Sequence, residues 1–163
     1  MEKERYYVMA ELIMKQKALS IKESYELYKD GELKYFIKRR KLVTKKPVFD
    51  VYTEEGVIAS AEVVSNGAPL IFKIIIGEKD AGEVRYDETP GVHKLTYDEK
   101  GITIDGNSLL TEFSIKDSNK KIIGTIKKKI VSVGDTYEIS FDNDGDEQFF
   151  AILALLVDES FHG

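Results

Sequence analysis

The chain has no cysteine, only two histidines and only three prolines in 163 residues. Without cysteine there is no disulfide, no thiolate metal site and no thiol nucleophile, which fits a reducing cytoplasm. His93 and His162 are too few for a histidine-rich metal centre, and they leave one realistic candidate, His93, for a Ser-His-Asp scheme. No G-x-S-x-G, G-x-x-x-x-G-K-[ST] or G-x-G-x-x-G is present, so the nucleophile elbow, the P-loop and the dinucleotide fingerprint all drop out. Met1-Glu2-Lys3-Glu4-Arg5 is followed by alternating residues rather than a long apolar run, the pattern of a chain without a secretory signal. With proline rare, no stretch reads as a linker, and residues 1–163 are expected to form one domain.

What is present is ordinary for a globular protein: 42% hydrophobic and 33% charged residues. The net charge of -5 is unevenly spread. Lys38-Arg39-Arg40-Lys41 with Lys45-Lys46 forms one basic cluster and Lys127-Lys128-Lys129 a second, whereas no lysine or arginine follows Ile130. Such asymmetry predicts a polarised surface potential.

The dominant hydrophobic period is two. Tyr35–Lys38, Val57–Val63 and Ile122–Lys127 read as strands rich in β-branched and aromatic residues. Turn signals separate them at Lys29-Asp30-Gly31, Glu54-Glu55-Gly56, Asp98–Gly101, Asp105-Gly106-Asn107 and Asp117-Ser118-Asn119. Short strands with a turn every dozen residues or so predict an all-β barrel or sandwich. The stretches beginning at Tyr25, Phe49 and Phe113 resemble one another, each a strand, a polar turn and a returning strand, with one extra residue in the third turn. Ile37, Ala61 and Ile126 fall at equivalent places, so a meander of repeated hairpins is expected.

One long apolar run remains, Phe149–Val157 in "FFAILALLVDESF". Nine residues cannot cross a bilayer, for which a helix needs roughly 20. Its alanines and leucines favour a helix from about Asp146 to Ser160, with Asp144 or Asp146 as N-cap and Glu147 at the positive end of the dipole. A helix apolar on nearly every side must be buried all round. In a β protein the place that does this is the inside of a closed barrel. Asp158 and Glu159 would lie in its last turn, where the dipole disfavours carboxylates. One of them is therefore expected to be at least half buried and bonded to the barrel, either to a lysine or arginine or to backbone N–H groups at a strand end.

The order of hairpins, "MKQKALSIKESYELYKDGELKYFIKRRK" then "IIGTIKKKIVSVGDTYEISFD", followed by the terminal "DEQFFAILALLVDE", resembles the tubby-like superfamily, and within it the LURP-one-related branch, whose relatives include the phospholipid scramblases. The resemblance covers nearly the whole chain. It implies a mainly β fold, a closed antiparallel barrel of about twelve strands around a central C-terminal helix, with Phe149, Phe150, Ile152, Leu153, Leu155 and Leu156 as its structural centre. Tubby proteins bind phosphoinositides through basic residues on the barrel surface, and scramblases act on lipids with calcium.

For function, Lys38, Arg39, Arg40, Lys41, Lys45 and Lys46 are the candidate site for anionic lipid, against the alternative of a solvated strand edge charged to prevent aggregation. Alternation on a strand would place Lys38 and Arg40 on one face and Arg39 and Lys41 on the other. Asp142, Asp144 and Asp146 imitate the start of a calcium loop, but Glu147 stands where glycine is needed and Leu153 where the closing glutamate belongs, so the segment reads as a capping turn and no metal is assigned. The nine tyrosines and eight phenylalanines sit mostly on strands, and with the net acidity they argue against nucleic acid. A non-catalytic binding domain without a cofactor is expected, cytoplasmic and in peripheral contact with an anionic membrane surface. The alternative is an intracellular protein-interaction or regulatory scaffold with no lipid role.

Overall fold

The structure is a computed structural model, and it describes residues 10–16, 24–40, 46–65, 69–87, 89–129, 135–142 and 146–162. Twelve strands follow in order: β1 (Ala10–Gln16), β2 (Ser24–Lys29), β3 (Glu32–Arg39), β4 (Val48–Thr53), β5 (Gly56–Ser65), β6 (Ile71–Ile76), β7 (Lys79–Tyr86), β8 (Lys94–Tyr97), β9 (Ile102–Gly106), β10 (Glu112–Lys116), β11 (Ile122–Lys129) and β12 (Thr136–Phe141). Each pairs antiparallel with its sequence neighbours, and β1 closes on β12 with Leu12 opposite Ile139. Closure leaves no unpaired edge. A single helix, α1 (Glu147–Phe161), follows β12.

The strands alternate as their period requires. Leu12 and Met14, Tyr25 and Leu27, Tyr35 and Ile37, Phe49 and Val51, Phe72 and Ile74, and Ile139 and Phe141 all point inward. The space they enclose is filled by α1, whose residues Phe149 to Asp158 are all buried. The helix reading therefore holds to within a residue at each end, and Phe149, Phe150, Ile152, Leu153, Leu155 and Leu156 form its centre. Burying six such side chains at about 1.5–3 kcal/mol each amounts to roughly 9–18 kcal/mol, comparable with the whole net stability of a domain.

The repeat is real at the level of backbone irregularity. In β2–β3, β4–β5 and β10–β11 the register shifts once, leaving Lys34, Ile58 and Ile123 as the unpaired bulge residues. These are equivalent positions in the three repeats, and Ile37, Ala61 and Ile126 three residues on are all fully buried. The turns differ. Asp30 and Gly31 both have positive φ, as a two-residue type I′ hairpin requires, whereas the third loop places Lys120 at φ 64. The inward position just after each bulge is Tyr35, Ala59 or Gly124. At Gly124 a Cβ would stand 2.9 Å from the Ser140 carbonyl and 3.1 Å from the Phe150 ring, so its absence lets α1 approach β11. The signal at Asp105-Gly106-Asn107 sits slightly early: Asp105 and Gly106 still pair in β9, and the turn begins at Asn107.

An up-and-down barrel sorts its connections. The turns at Asp30-Gly31, Glu54-Glu55, Gly77-Glu78, Asp98–Lys100 and Asp117–Lys120 share one end with the start of α1. The connections β1–β2, β3–β4, β5–β6, β7–β8, β9–β10 and β11–β12 share the other, where α1 ends. The second end carries Lys38-Arg39-Arg40, Lys46 and Lys127-Lys128-Lys129, with Asp135 and Glu138 beside the last run.

Candidate functional site

At the end where α1 finishes, Lys38, Arg39, Arg40 and Lys46 are all exposed, while Lys41 and Lys45 lie outside the described residues. Lys38 lies on the outer face of β3, and Arg40, one residue past the end of the strand, continues its alternation. Arg39 lies at the last position of the strand and is exposed as well. Their environments differ. Lys38 Nζ sits 5.7 Å from the centroid of the Tyr52 ring, a cation–π contact that leaves its charge unneutralised. Arg40 makes a two-pronged bond to Asp50, 2.9 Å from Nε and 2.6 Å from Nη2, and Ser60 donates to the same carboxylate at 2.7 Å. Burial pushes the Asp50 carboxyl up, but the bonds from Arg40 and Ser60 outweigh it and hold the group below its ordinary value. Lys46 Nζ donates to the Val64 carbonyl at 3.1 Å, and the Arg40 N–H bonds Val48 O, which brings the two sides of this connection together. The second basic run is locally compensated: Lys128 lies 3.5 Å from Asp135 and Lys129 3.5 Å from Glu138 on β12.

Both ends of α1 are held by carboxylates. At its start Asp146 accepts from the Gln148 N–H, and the next residue, Glu147, faces Lys29 and Lys34, each at 2.5 Å, and accepts from the Tyr35 hydroxyl at 2.7 Å. Burial raises the Glu147 carboxyl, yet the bonds from Lys29, Lys34 and Tyr35 leave it below its usual value. Of the calcium-like segment, then, Asp146 and Glu147 are committed to capping and anchoring the helix, and 143–145 lie outside the described residues. Among the described residues no group of three or more His, Asp and Glu side chains is placed to hold a metal ion.

At the far end Asp158 is 2% exposed. Both its oxygens accept tyrosine hydroxyls, from Tyr25 on β2 and Tyr137 on β12, and Tyr25 also reaches Glu159 at 2.9 Å. The expected burial and bonding of one acid is thus met by Asp158, but the expected partner is corrected: two tyrosines bind it rather than a cation or backbone amides. Burial, followed by the carboxylates, pushes both hydroxyls far up, so they remain donors across the working pH range. His162 approaches the Leu110 carbonyl at 2.8 Å, while His93 meets Phe161 edge-on at 6.4 Å. Both histidines serve the packing of the helix's last turn, and neither is paired with a serine nucleophile in the bonds described.

The outer wall of β6 and β7, with the turn that follows β8, carries a polar groove of about 630 Å³ lined by Lys73, Asp80, Gly82, Glu83, Arg85, Asp98 and Glu99. Its cations are engaged within it, Arg85 with Asp98 at 2.8 Å and Lys73 with Asp80 at 3.6 Å. Neither the groove nor the tyrosine–carboxylate cluster had a legible signal in the sequence, since their members are far apart in the chain.

A closed barrel of twelve antiparallel strands, wound around one buried C-terminal helix and carrying its basic residues on the outside, defines the tubby-like class. Within that class, the family model described as LURP-one-related matches residues 10–158, and the chain belongs to this family. No curated protein matches the chain significantly. Among the described residues, no helix is long and apolar enough to cross a membrane.

Proposed function

We propose that this LURP-one-related domain is a non-catalytic binding module whose exposed basic cluster makes peripheral contact with anionic phospholipid. The observation that carries the reading is the exposure of Lys38, Arg39, Arg40 and Lys46 together at the end where α1 finishes. An exposed basic cluster is attracted to an anionic surface. Each basic residue near such a surface contributes about 1 kcal/mol. With Arg40 discounted for its bond to Asp50, Lys38 and Lys46 supply about 2 kcal/mol, roughly a thirtyfold partitioning. That suits reversible attachment in which Lys41 and Lys45 add their share.

Flotation with vesicles of phosphatidylserine and phosphatidylcholine tests this. Binding is expected to fall with added salt, to fall about tenfold in Lys45→Glu/Lys46→Glu, and to be absent on phosphatidylcholine alone. Binding indifferent to salt and to these charge reversals, or no binding at all, rejects the lipid reading and leaves the protein-interaction scaffold.

A further inference from the structure

We infer that Leu109, at the tip of the β9–β10 turn, is a wedge that enters the acyl region of an anionic membrane while Lys38 and Lys46 meet the headgroups, so that the barrel stands on the surface with the finishing end of α1 toward the lipid. The inference rests on the anionic-lipid reading above and adds to it an apolar contact and an orientation. Among the described residues Leu109 is 76% exposed, more than Leu33, Val57 or Ile122, the other large apolar side chains in the open. Turns favour glycine and short polar residues at such a place, not leucine. This one forms without the leucine side chain. The Leu110 N–H bonds the Asn107 carbonyl at 3.0 Å, and the Asn107 side chain accepts from the Thr111 and Glu112 N–H groups at 2.8 and 3.1 Å. Leu110 is held at φ 56, a left-handed conformation uncommon for leucine, with its side chain packed on the core and its carbonyl 2.8 Å from His162 Nε2. His162 is the C-cap of α1, so the turn is tied to the end of the helix. Leu109 therefore projects from a fixed support, and little ordering is lost when it enters lipid.

A lone exposed leucine is ordinary on a protein surface. Here composition and charge give it a partner. The turns at the end where α1 starts, 30–31, 54–55, 77–78, 98–101 and 117–121, contain no large apolar residue. The sequences that join strands at the other end include "KALSIKE", "RKLVTKKP" and "IVSVGD", much of which lies outside the described residues. Leucine, isoleucine and valine among lysines are the composition of segments that lie at a lipid interface. The charges next to Leu109 cancel in pairs: Lys127 is the Cα partner of Glu112, Lys128 lies 3.5 Å from Asp135 and Lys129 3.5 Å from Glu138. What this turn offers is thus apolar. Attraction comes from across the rim, where Lys38 and Lys46 are exposed and Asp50, the Cα partner of Lys38, is taken up by Arg40 and Ser60. Six strands separate the β3–β4 and β9–β10 connections in the closed order, β4 to β9 one way and β10 to β3 the other, so the two contacts lie on opposite sides of one rim. One apolar and one basic signal together attach a protein where either alone is marginal.

The test uses the full chain and vesicles of phosphatidylserine and phosphatidylcholine. The protein has no tryptophan, so Leu109→Trp supplies a single indole at an exposed position, where circular dichroism is expected to show the fold unchanged. Its emission should shift to the blue when vesicles are added and should be quenched by lipids brominated along the acyl chains. Leu109→Ser should lower vesicle affinity about tenfold or more, the loss expected for one leucine left out of hydrocarbon, and keep the salt dependence of wild type. Lys38→Glu/Lys46→Glu should instead flatten that dependence. Flotation of Leu109→Trp with an unshifted and unquenched indole, or of Leu109→Ser at wild-type affinity, overturns the wedge and leaves the lipid reading standing. Absence of flotation for the wild type rejects both. An indole that shifts to the blue with protein concentration alone, before any vesicle is added, would set Leu109 against a second copy and overturn the wedge as well.

Discussion

Removing the Asp158 carboxylate should destabilise the barrel more than any other single polar change at its far end. In Asp158→Ala the Tyr137 hydroxyl loses its acceptor while remaining fully buried, and a buried unsatisfied donor costs about 1–3 kcal/mol. Tyr25 loses one of its two acceptors and keeps Glu159 at 2.9 Å, a loss of about 0.5–1.5 kcal/mol. Relief from burying a carboxylate opposes part of this. The net expectation is about 1–4 kcal/mol, or about 3–15 °C in melting temperature for a chain of this size. Chemical denaturation at neutral pH reads it as a lower midpoint. Tyr137→Phe leaves the buried Asp158 Oδ1 without its donor and should also lower the midpoint, by about 1–3 kcal/mol, while the double variant Tyr137→Phe/Asp158→Ala removes both partners and should cost clearly less than the sum of the two, with a coupling of about 1 kcal/mol or more. Glu159→Ala, at a half-buried position, should be the mildest. An Asp158→Ala midpoint within about 0.5 kcal/mol of wild type, or strictly additive variants, would refute the idea that these tyrosines fix the depth of the helix.

The Glu147 anchor makes stability depend on acid. Its folded carboxyl sits below the ordinary 4.5, so its contribution is fully present above that value and is lost as pH falls through the lowered one. Glu147→Gln should flatten the fall in melting temperature below about pH 4.5 and lower stability at neutral pH; equal slopes for both proteins would contradict the anchoring. At Gly124 the clash is with a backbone carbonyl that cannot swing away. Gly124→Val should therefore cost about 3 kcal/mol or more by forcing β11 and α1 apart, measurable as a lower unfolding midpoint, and a neutral substitution would mean the helix does not pack there.

The sequence by itself determined the central relation of this fold. A nine-residue run that is apolar on all sides is too short for a bilayer and too greasy for a surface, so it demands an enclosure, and the period-two hairpins around it provide one. These are local and compositional signals, and they were enough to place α1 to within a residue at each end, together with the repeat and the inward positions Ile37, Ala61 and Ile126. Tertiary structure decided everything that depends on which residues meet across the barrel. Asp158 is 133 residues from Tyr25 in the chain, and nothing in "VDE" distinguishes a tyrosine partner from the cation that charge alone suggests. Arg40 stands inside a basic run that reads as uniformly free, yet β3–β4 pairing brings Asp50 against it and neutralises it. The grouping of Lys38–Arg40 with Lys46 likewise follows from the meander, which sends alternate connections to opposite ends. Neighbourhood in a closed sheet is set by registers and bulges, and those are fixed only when all the strands have found one another around the helix.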